Sequence, residues 1–204
     1  MLGILVVCTG NVCRSPLAEH LLREELRDAD VSLTSRGTRA LRDQPPTPET
    51  IGLATSLGIP VASISEHRAQ QLREAHLAEA DLVLTMAREH RREVVELSPV
   101  HVRSTFLLRE LGRLGEAVPD AELTAVANAA GRSSRTRLDA LLQRVAAVRG
   151  ELPPPTAPGE DDVIDPFRRS EETYRESASQ MASGIAQVVR LTRIAEARPL
   201  VTSR

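Results

Sequence analysis

The chain opens on a short aliphatic run, Leu2-Gly3-Ile4-Leu5-Val6-Val7, with no alternation of polar and apolar positions. Such a run predicts a parallel strand covered on both faces. The polar stretch from Cys8 to Ser15 follows, and then Leu17, Leu21, Leu22 and Leu26 recur at helical spacing. Pro16 suits the first turn of that helix, where its missing N–H costs nothing. Val31 to Thr34 predicts a second strand, Pro48 to Leu57 a helix stopped by Gly58, and Ala69 to Ala80 another helix. Leu82 to Met86 predicts a third strand, Ala87 to Leu97 an amphipathic helix, and Val100 to Phe106 a fourth strand of weaker pattern. Strands alternating with helices imply parallel pairing and right-handed crossovers. The expected fold class is α/β, a small doubly wound four-stranded parallel sheet with helices on both faces.

From Leu107 to Gly150 the pattern is helical, with breaks expected at Gly112 to Pro119 and at Gly131 and a cap at Ser133 or Ser134. Glu151 to Asp162 holds Pro153, Pro154, Pro155, Pro158 and Gly159, a composition that resists helix and strand alike. Residues 107–162 therefore read as a helical insertion with a proline-rich connector that leads into Asp165-Pro166, and they are expected to act as a lid that carries Asp165 in and out. The last helix sets Tyr174, Ala178, Met181, Ile185, Val188 and Thr192 on one face. One domain over residues 1–197 is expected, with a frayed tail at 198–204.

Composition narrows the function. A net charge of −2 and an aromatic content of 1% argue against a nucleic-acid partner, which needs a dominant basic face or stacking rings. The apolar run at the start is too short to span a membrane. With two cysteines and no charged leader before the first apolar run, no disulfide framework is expected, and a cytoplasmic location is.

The chemistry concentrates in Cys8-Thr9-Gly10-Asn11-Val12-Cys13-Arg14-Ser15. A loop at the carboxyl end of a strand, feeding a helix N-terminus, can aim several amides at one anion. Gly10 and Asn11 tolerate the left-handed angles that curl such a loop. Arg14 is placed to fold back and clamp two phosphate oxygens with its planar fork. The same amides, helix dipole and guanidinium favour a thiolate at Cys8, which can displace an ester oxygen from phosphorus. Cys8 and Asp165 also have plainer readings, as a small buried residue and as the cap of the last helix.

The stretch Cys8-x5-Arg14-Ser15-Pro16, written out as CTGNVCRSP behind the first strand, resembles the low-molecular-weight protein-tyrosine phosphatase family. The resemblance covers residues 1–106 and 163–194. It implies a four-stranded parallel sheet and hydrolysis of phosphotyrosine through a cysteinyl-phosphate, with a phosphorylated protein as partner and with neither metal nor cofactor. It further implies that Thr9, Gly10, Asn11, Val12 and Cys13 line the phosphate cradle. Asp165, in Val163-Ile164-Asp165-Pro166-Phe167, matches the general acid that protonates the leaving oxygen and then deprotonates water. Phe167 resembles the aromatic that flanks a substrate ring, and Ser15 the hydroxyl that donates to the thiolate. Asn11, Ser35 and His67 resemble the residues that brace the loop. Where family members place an aromatic after the Ser35 segment, this chain has Ala40, Leu41 and Arg42.

Two competing activities share this loop. Thioredoxin-linked arsenate reductases need further thiols, and no cysteine follows Cys13. Protein-arginine phosphatases typically carry threonine after the loop asparagine, so Val12 favours phosphotyrosine. Cys13 either packs under the loop or captures an oxidised Cys8 as a reversible disulfide.

Overall fold

The computed structural model describes residues 1–197. Strand β1 (Leu2–Cys8) lies inside a four-stranded parallel sheet of order β2-β1-β3-β4, with β2 at Val31–Gly37, β3 at Leu82–Thr85 and β4 at Thr105–Leu107. Between them run α1 (Arg14–Glu25), α2 (Pro48–Ser56), α3 (Val61–Ser65), α4 (Glu74–Ala78) and α5 (Arg88–Leu97). After β4 come α6 (Leu108–Glu116), α7 (Asp120–Ala129), α8 (Ser134–Ala147) and the long α9 (Glu171–Glu196).

The alternating side chains of β1 explain the two layers. Leu2, Ile4, Val6 and Cys8 join the larger core with leucines of α1, α6 and α8 and the apolar face of α9. Leu5 and Val7 face the other way, onto Leu72, Leu77 and Val94. Helices thus cover both faces, as the aliphatic run requires. Among the described residues no helix is long and apolar enough to cross a membrane.

Several boundaries differ from expectation, each for a tertiary reason. Strand β2 continues to Gly37 because Ser35 and Gly37 stay in register with Val6 and Cys8. The stretch expected to be helical from Ala69 is extended up to Leu72 instead. Gly37 accepts from the Leu72 amide at 2.8 Å and donates to the Gln70 carbonyl at 2.8 Å, which leaves only Glu74–Ala78 helical. The expected strand at Val100 begins as a 3-10 turn, Pro99–Arg103, and only Thr105–Leu107 pairs. Helix α6 runs through Gly112, where a break was expected, and ends at Glu116. Glycines on both helices permit its close packing on α9: a Cβ on Gly184 of α9 would strike the Leu108 carbonyl oxygen, and one on Gly112 of α6 would strike Ser183. Gly131 does end a helix, at φ 109°, and Ser133 sits at the N-cap of α8 without a side-chain capping bond.

Helices α7 and α8 stack on α6 and α9, not over the Cys8 loop as a lid would. Their buried cation, Arg137, is 1% exposed and fans its guanidinium over the carbonyls of Ala127, Gly131, Ile194 and Ala195 and the Asn128 side chain, at 2.8–3.3 Å. It thereby satisfies the orphan carbonyls that end α7 and α9. The connector is pinned where it reaches Asp165. Asp162 accepts from the Arg88 amide at 2.8 Å, Val163 donates to the Met86 carbonyl at 2.7 Å, and Ile164 donates to Gln180 at 2.8 Å. The expected frayed tail, 198–204, lies outside the described residues.

Candidate active site

The loop from Cys8 to Ser15 is held from outside by its carbonyls. Those of Cys8, Thr9, Gly10 and Val12 accept from the amides of Thr38, Arg39, Leu41 and Thr47 at 2.9–3.1 Å. The Asn11 carbonyl accepts from His67 Nε2 at 3.0 Å, which fixes the proton of that ring on Nε2. No peptide bond here is cis, so each amide points opposite to the carbonyl of its own plane. With five consecutive carbonyls turned out, the amides of Thr9 to Cys13 turn in, and the curl is an anion nest. Asn11 makes the curl possible at φ 57°.

Asn11 is fully buried, and every polar atom it has is matched. Its Oδ1 accepts from the Gln70 amide at 2.9 Å, and its Nδ2 donates to Ser15 Oγ at 2.9 Å and Ser35 Oγ at 2.8 Å. Its own amide donates to Cys8 Sγ at 3.3 Å. Ser15 Oγ, which accepts from Asn11 Nδ2, lies 2.9 Å from Cys8 Sγ, within hydrogen-bond reach. The sulfur thus faces one backbone amide and one hydroxyl inside the loop.

Arg14, 4% exposed, spans the loop toward the far end of the chain. Its Nη1 donates to the Val163 carbonyl at 3.1 Å, and its Nη2 pairs with Asp165 Oδ2 at 2.8 Å. Asp165 Oδ1 accepts from the Phe167 amide at 3.2 Å. The cap of α9 is Ser170, whose hydroxyl accepts from the Thr173 amide, so the capping reading of Asp165 falls away. A cavity of about 130 Å³ opens at the sulfur, walled by Leu41 and Phe167 with Arg39 among its lining residues. Arg168 stacks on the Phe167 ring at 5.1 Å. A larger groove of about 1030 Å³ lies apart from the loop, between α1, α2 and α9, lined mostly by apolar side chains with Arg175, Arg190 and Arg193 among them.

Cys13 turns away beneath the loop. Its sulfur lies 3.6 Å from Tyr174 Oη and 3.8 Å from Thr47 Oγ1, and both cysteines are free thiols. Burial raises the Cys13 thiol above its ordinary pKa and likewise raises the Tyr174 phenol. Burial lowers His67 and His20, in each case against the pull of nearby Glu19. Sequence reasoning missed Glu19, whose carboxylate lies 4.0 Å from His67 Nδ1 behind the loop. It also missed His90, 1% exposed, whose Nε2 lies 2.8 Å from Thr9 Oγ1. Burial and then the Arg14 charge lower the His90 pKa to about 4. Its one signal was position, since it opens a helix at the carboxyl end of β3, on the sheet edge that bears the loop.

Comparison with known proteins agrees with this geometry. The family model of low molecular weight phosphotyrosine protein phosphatase matches residues 3–118, so the match reaches through α6. The probable low molecular weight protein-tyrosine-phosphatase EpsP of Ralstonia nicotianae is 39% identical over 146 residues, 71% of this chain and 97% of that protein. Etp of Escherichia coli is 36% identical over 106 residues, 52% of this chain and 68% of its own length. Among solved structures, the low molecular weight protein tyrosine phosphatase of T. tengcongensis superposes with a TM-score of 0.63 at 28% identity, covering 93% of this chain and 98% of that one. The YwlE arginine phosphatase of Geobacillus stearothermophilus gives 0.63 at 25%, covering 93% and 91%. The chain belongs to the low molecular weight phosphotyrosine protein phosphatase family and is a phosphoric monoester hydrolase.

Proposed function

We propose that the protein removes phosphate from phosphotyrosine in a protein substrate through a cysteinyl-phosphate. The arrangement that carries this reading is the Cys8 sulfur, hydrogen-bonded by Asn11 and Ser15 at the floor of the nest, beside the Arg14–Asp165 pair. The inward amides and Arg14 hold the phosphoryl group, and the Cys8 thiolate attacks phosphorus. As the P–O bond breaks, Asp165 gives its proton to the tyrosyl oxygen. Water then attacks the phosphoryl-cysteine and passes a proton to Asp165, and the P–S bond breaks. The Ser15 hydroxyl stabilises the departing thiolate, and inorganic phosphate leaves. Leu41 and Phe167 are the apolar walls available to the substrate ring. The same reading takes residues 1–197 as one phosphatase domain, since α9 closes both the loop and the helical segment.

The test is turnover of aryl phosphates by the wild type and by Cys8→Ser, with phosphotyrosyl and phosphoarginyl peptides compared side by side. The variant is expected to lose measurable turnover, and a chelator to change nothing. Full activity in the variant, or loss of activity with the chelator, overturns the mechanism. A preference for phosphoarginine transfers the site to the other branch of the fold.

A further inference from the structure

Thr9 is the first residue of the nest, and its hydroxyl lies among three groups. Arg14 Nη2 stands 3.4 Å from Thr9 Oγ1 and His90 Nε2 stands 2.8 Å from it, while Thr9 is among the residues that line the cavity over the Cys8 sulfur. A guanidinium only donates, so Arg14 fills one lone pair of the hydroxyl oxygen. What His90 does depends on which ring nitrogen holds its proton.

Two observations put that proton on Nε2. His90 Nδ1 is buried with no hydrogen-bond partner among the described residues, and a bare lone pair there is tolerated better than a stranded N–H. Glu89 Oε1 lies 3.5 Å from the same Nε2, and a carboxylate accepts only. His90 therefore donates to Thr9 Oγ1 and fills its second lone pair. A hydroxyl that accepts twice has its proton left to give, and the open direction is the cavity.

We infer that His90 is a positioning residue of the phosphatase site: together with Arg14 it saturates the Thr9 hydroxyl as an acceptor, turning that hydroxyl into a donor to the substrate phosphoryl group. The inference rests on the phosphatase reading above and adds a side-chain donor to the backbone nest. A Leu in place of His90 would fill the same space yet leave Thr9 free to rotate its proton toward the protein.

The test joins a spectroscopic and a binding measurement on the full chain. Long-range proton–nitrogen correlation of the histidine rings near neutral pH is expected to show His90 as the Nε2–H tautomer, and an Nδ1–H tautomer overturns the inference. Inorganic phosphate binding by calorimetry is expected to weaken ~10-fold in His90→Met and equally in Thr9→Val, the scale of one hydrogen bond to a charged acceptor. The double variant is expected to lose no more than either single one. His90→Gln, whose amide reaches the Nε2 position, is expected to bind within about twofold of the wild type. KM for an aryl phosphate should rise with phosphate Kd while kcat stays nearly constant. Unchanged phosphate affinity in folded His90→Met, or additive losses in the double variant, overturns the inference. Wild type that binds phosphate without turning over aryl phosphates defeats the phosphatase reading instead.

Discussion

Around the Cys8–Ser15 loop the buried side chains include Asn11, Arg14, Ser15, Ser35 and His90, whereas across α6, α7 and α8 they are leucine, valine and alanine, with Glu110 and Arg137 as the polar exceptions. The loop region buries polar groups and, Arg14 Nε and His90 Nδ1 apart, holds them to partners at fixed distances, so few residues can stand at any position. The helical region needs only apolar volume at the right period, which many sequences supply. The loop is therefore expected to be rigid toward substitution in activity, and the helical segment to yield in stability alone.

Four changes would break or sharpen that contrast. Arg137→Met should produce the largest effect, since four carbonyls and an amide oxygen lose their buried donor. A cost of about 4 kcal/mol in urea unfolding is expected, with turnover of the folded protein unchanged. A matching loss of kcat in folded protein would show that the two regions are not separable.

The histidine part of the acid response should belong to the loop side of the molecule, because the segment 107–162 contains no histidine. His20, His67 and His90 are all lowered by burial, so between their unfolded and folded pKa values the unfolded chain binds more protons. Their contribution to stability is complete above about pH 6.5 and is lost as pH falls toward the folded values. For His90, Arg14 opposes the proton while Glu93, Asp165, Asp162 and the neighbouring Glu89 favour it, and burial dominates. A fall to about 4 makes His90 responsible for ~3 kcal/mol across that interval. His90→Gln should flatten the slope of unfolding free energy against pH by that amount, and an unchanged slope would contradict it.

Asp165→Asn should lower kcat on the order of 10², close to 3 kcal/mol on the same scale, with little change in unfolding. The Asp165 carboxylate is half exposed, and the buried Arg14 keeps the Val163 carbonyl as a second partner. Ser15→Ala is the smallest, about tenfold in kcat, with phosphoenzyme accumulating in a burst because departure of the thiolate is slowed. A slower burst instead would place the role of Ser15 in the first step.

The same contrast explains what the sequence made legible. Cys8, Arg14 and Asp165 stood out because the chemistry proposed for them admits no substitutes, and they line one cavity, with Asn11 bonded to Ser35 and His67 beneath it. The unbroken aliphatic run of β1 pointed to the sheet and its two covered faces. What stayed hidden depends on partners remote in sequence. Gln70 to Leu72 are extended because Gly37 claims their backbone, which no local period reveals. Gly112 reads as a breaker until Ser183 is known to press on it. His90 and Arg137 look like ordinary solvated helix residues, since only the fold carries them to Thr9 and to the ends of α7 and α9.

Helix α9 carries Tyr174, whose hydroxyl lies 3.6 Å from the Cys13 sulfur, in its first turn, and ends where Arg137 grips the carbonyls of Ile194 and Ala195. At about 1.5 Å per residue its 26 residues make a strut of ~39 Å joined to the loop at one end and to the helical segment at the other. Shortening or lengthening that strut rotates one joint against the other by roughly 100° per residue, so only edits near whole turns keep both seated. A chimera that grafts this chain's helical segment onto another phosphatase has to preserve that angular phase before anything else.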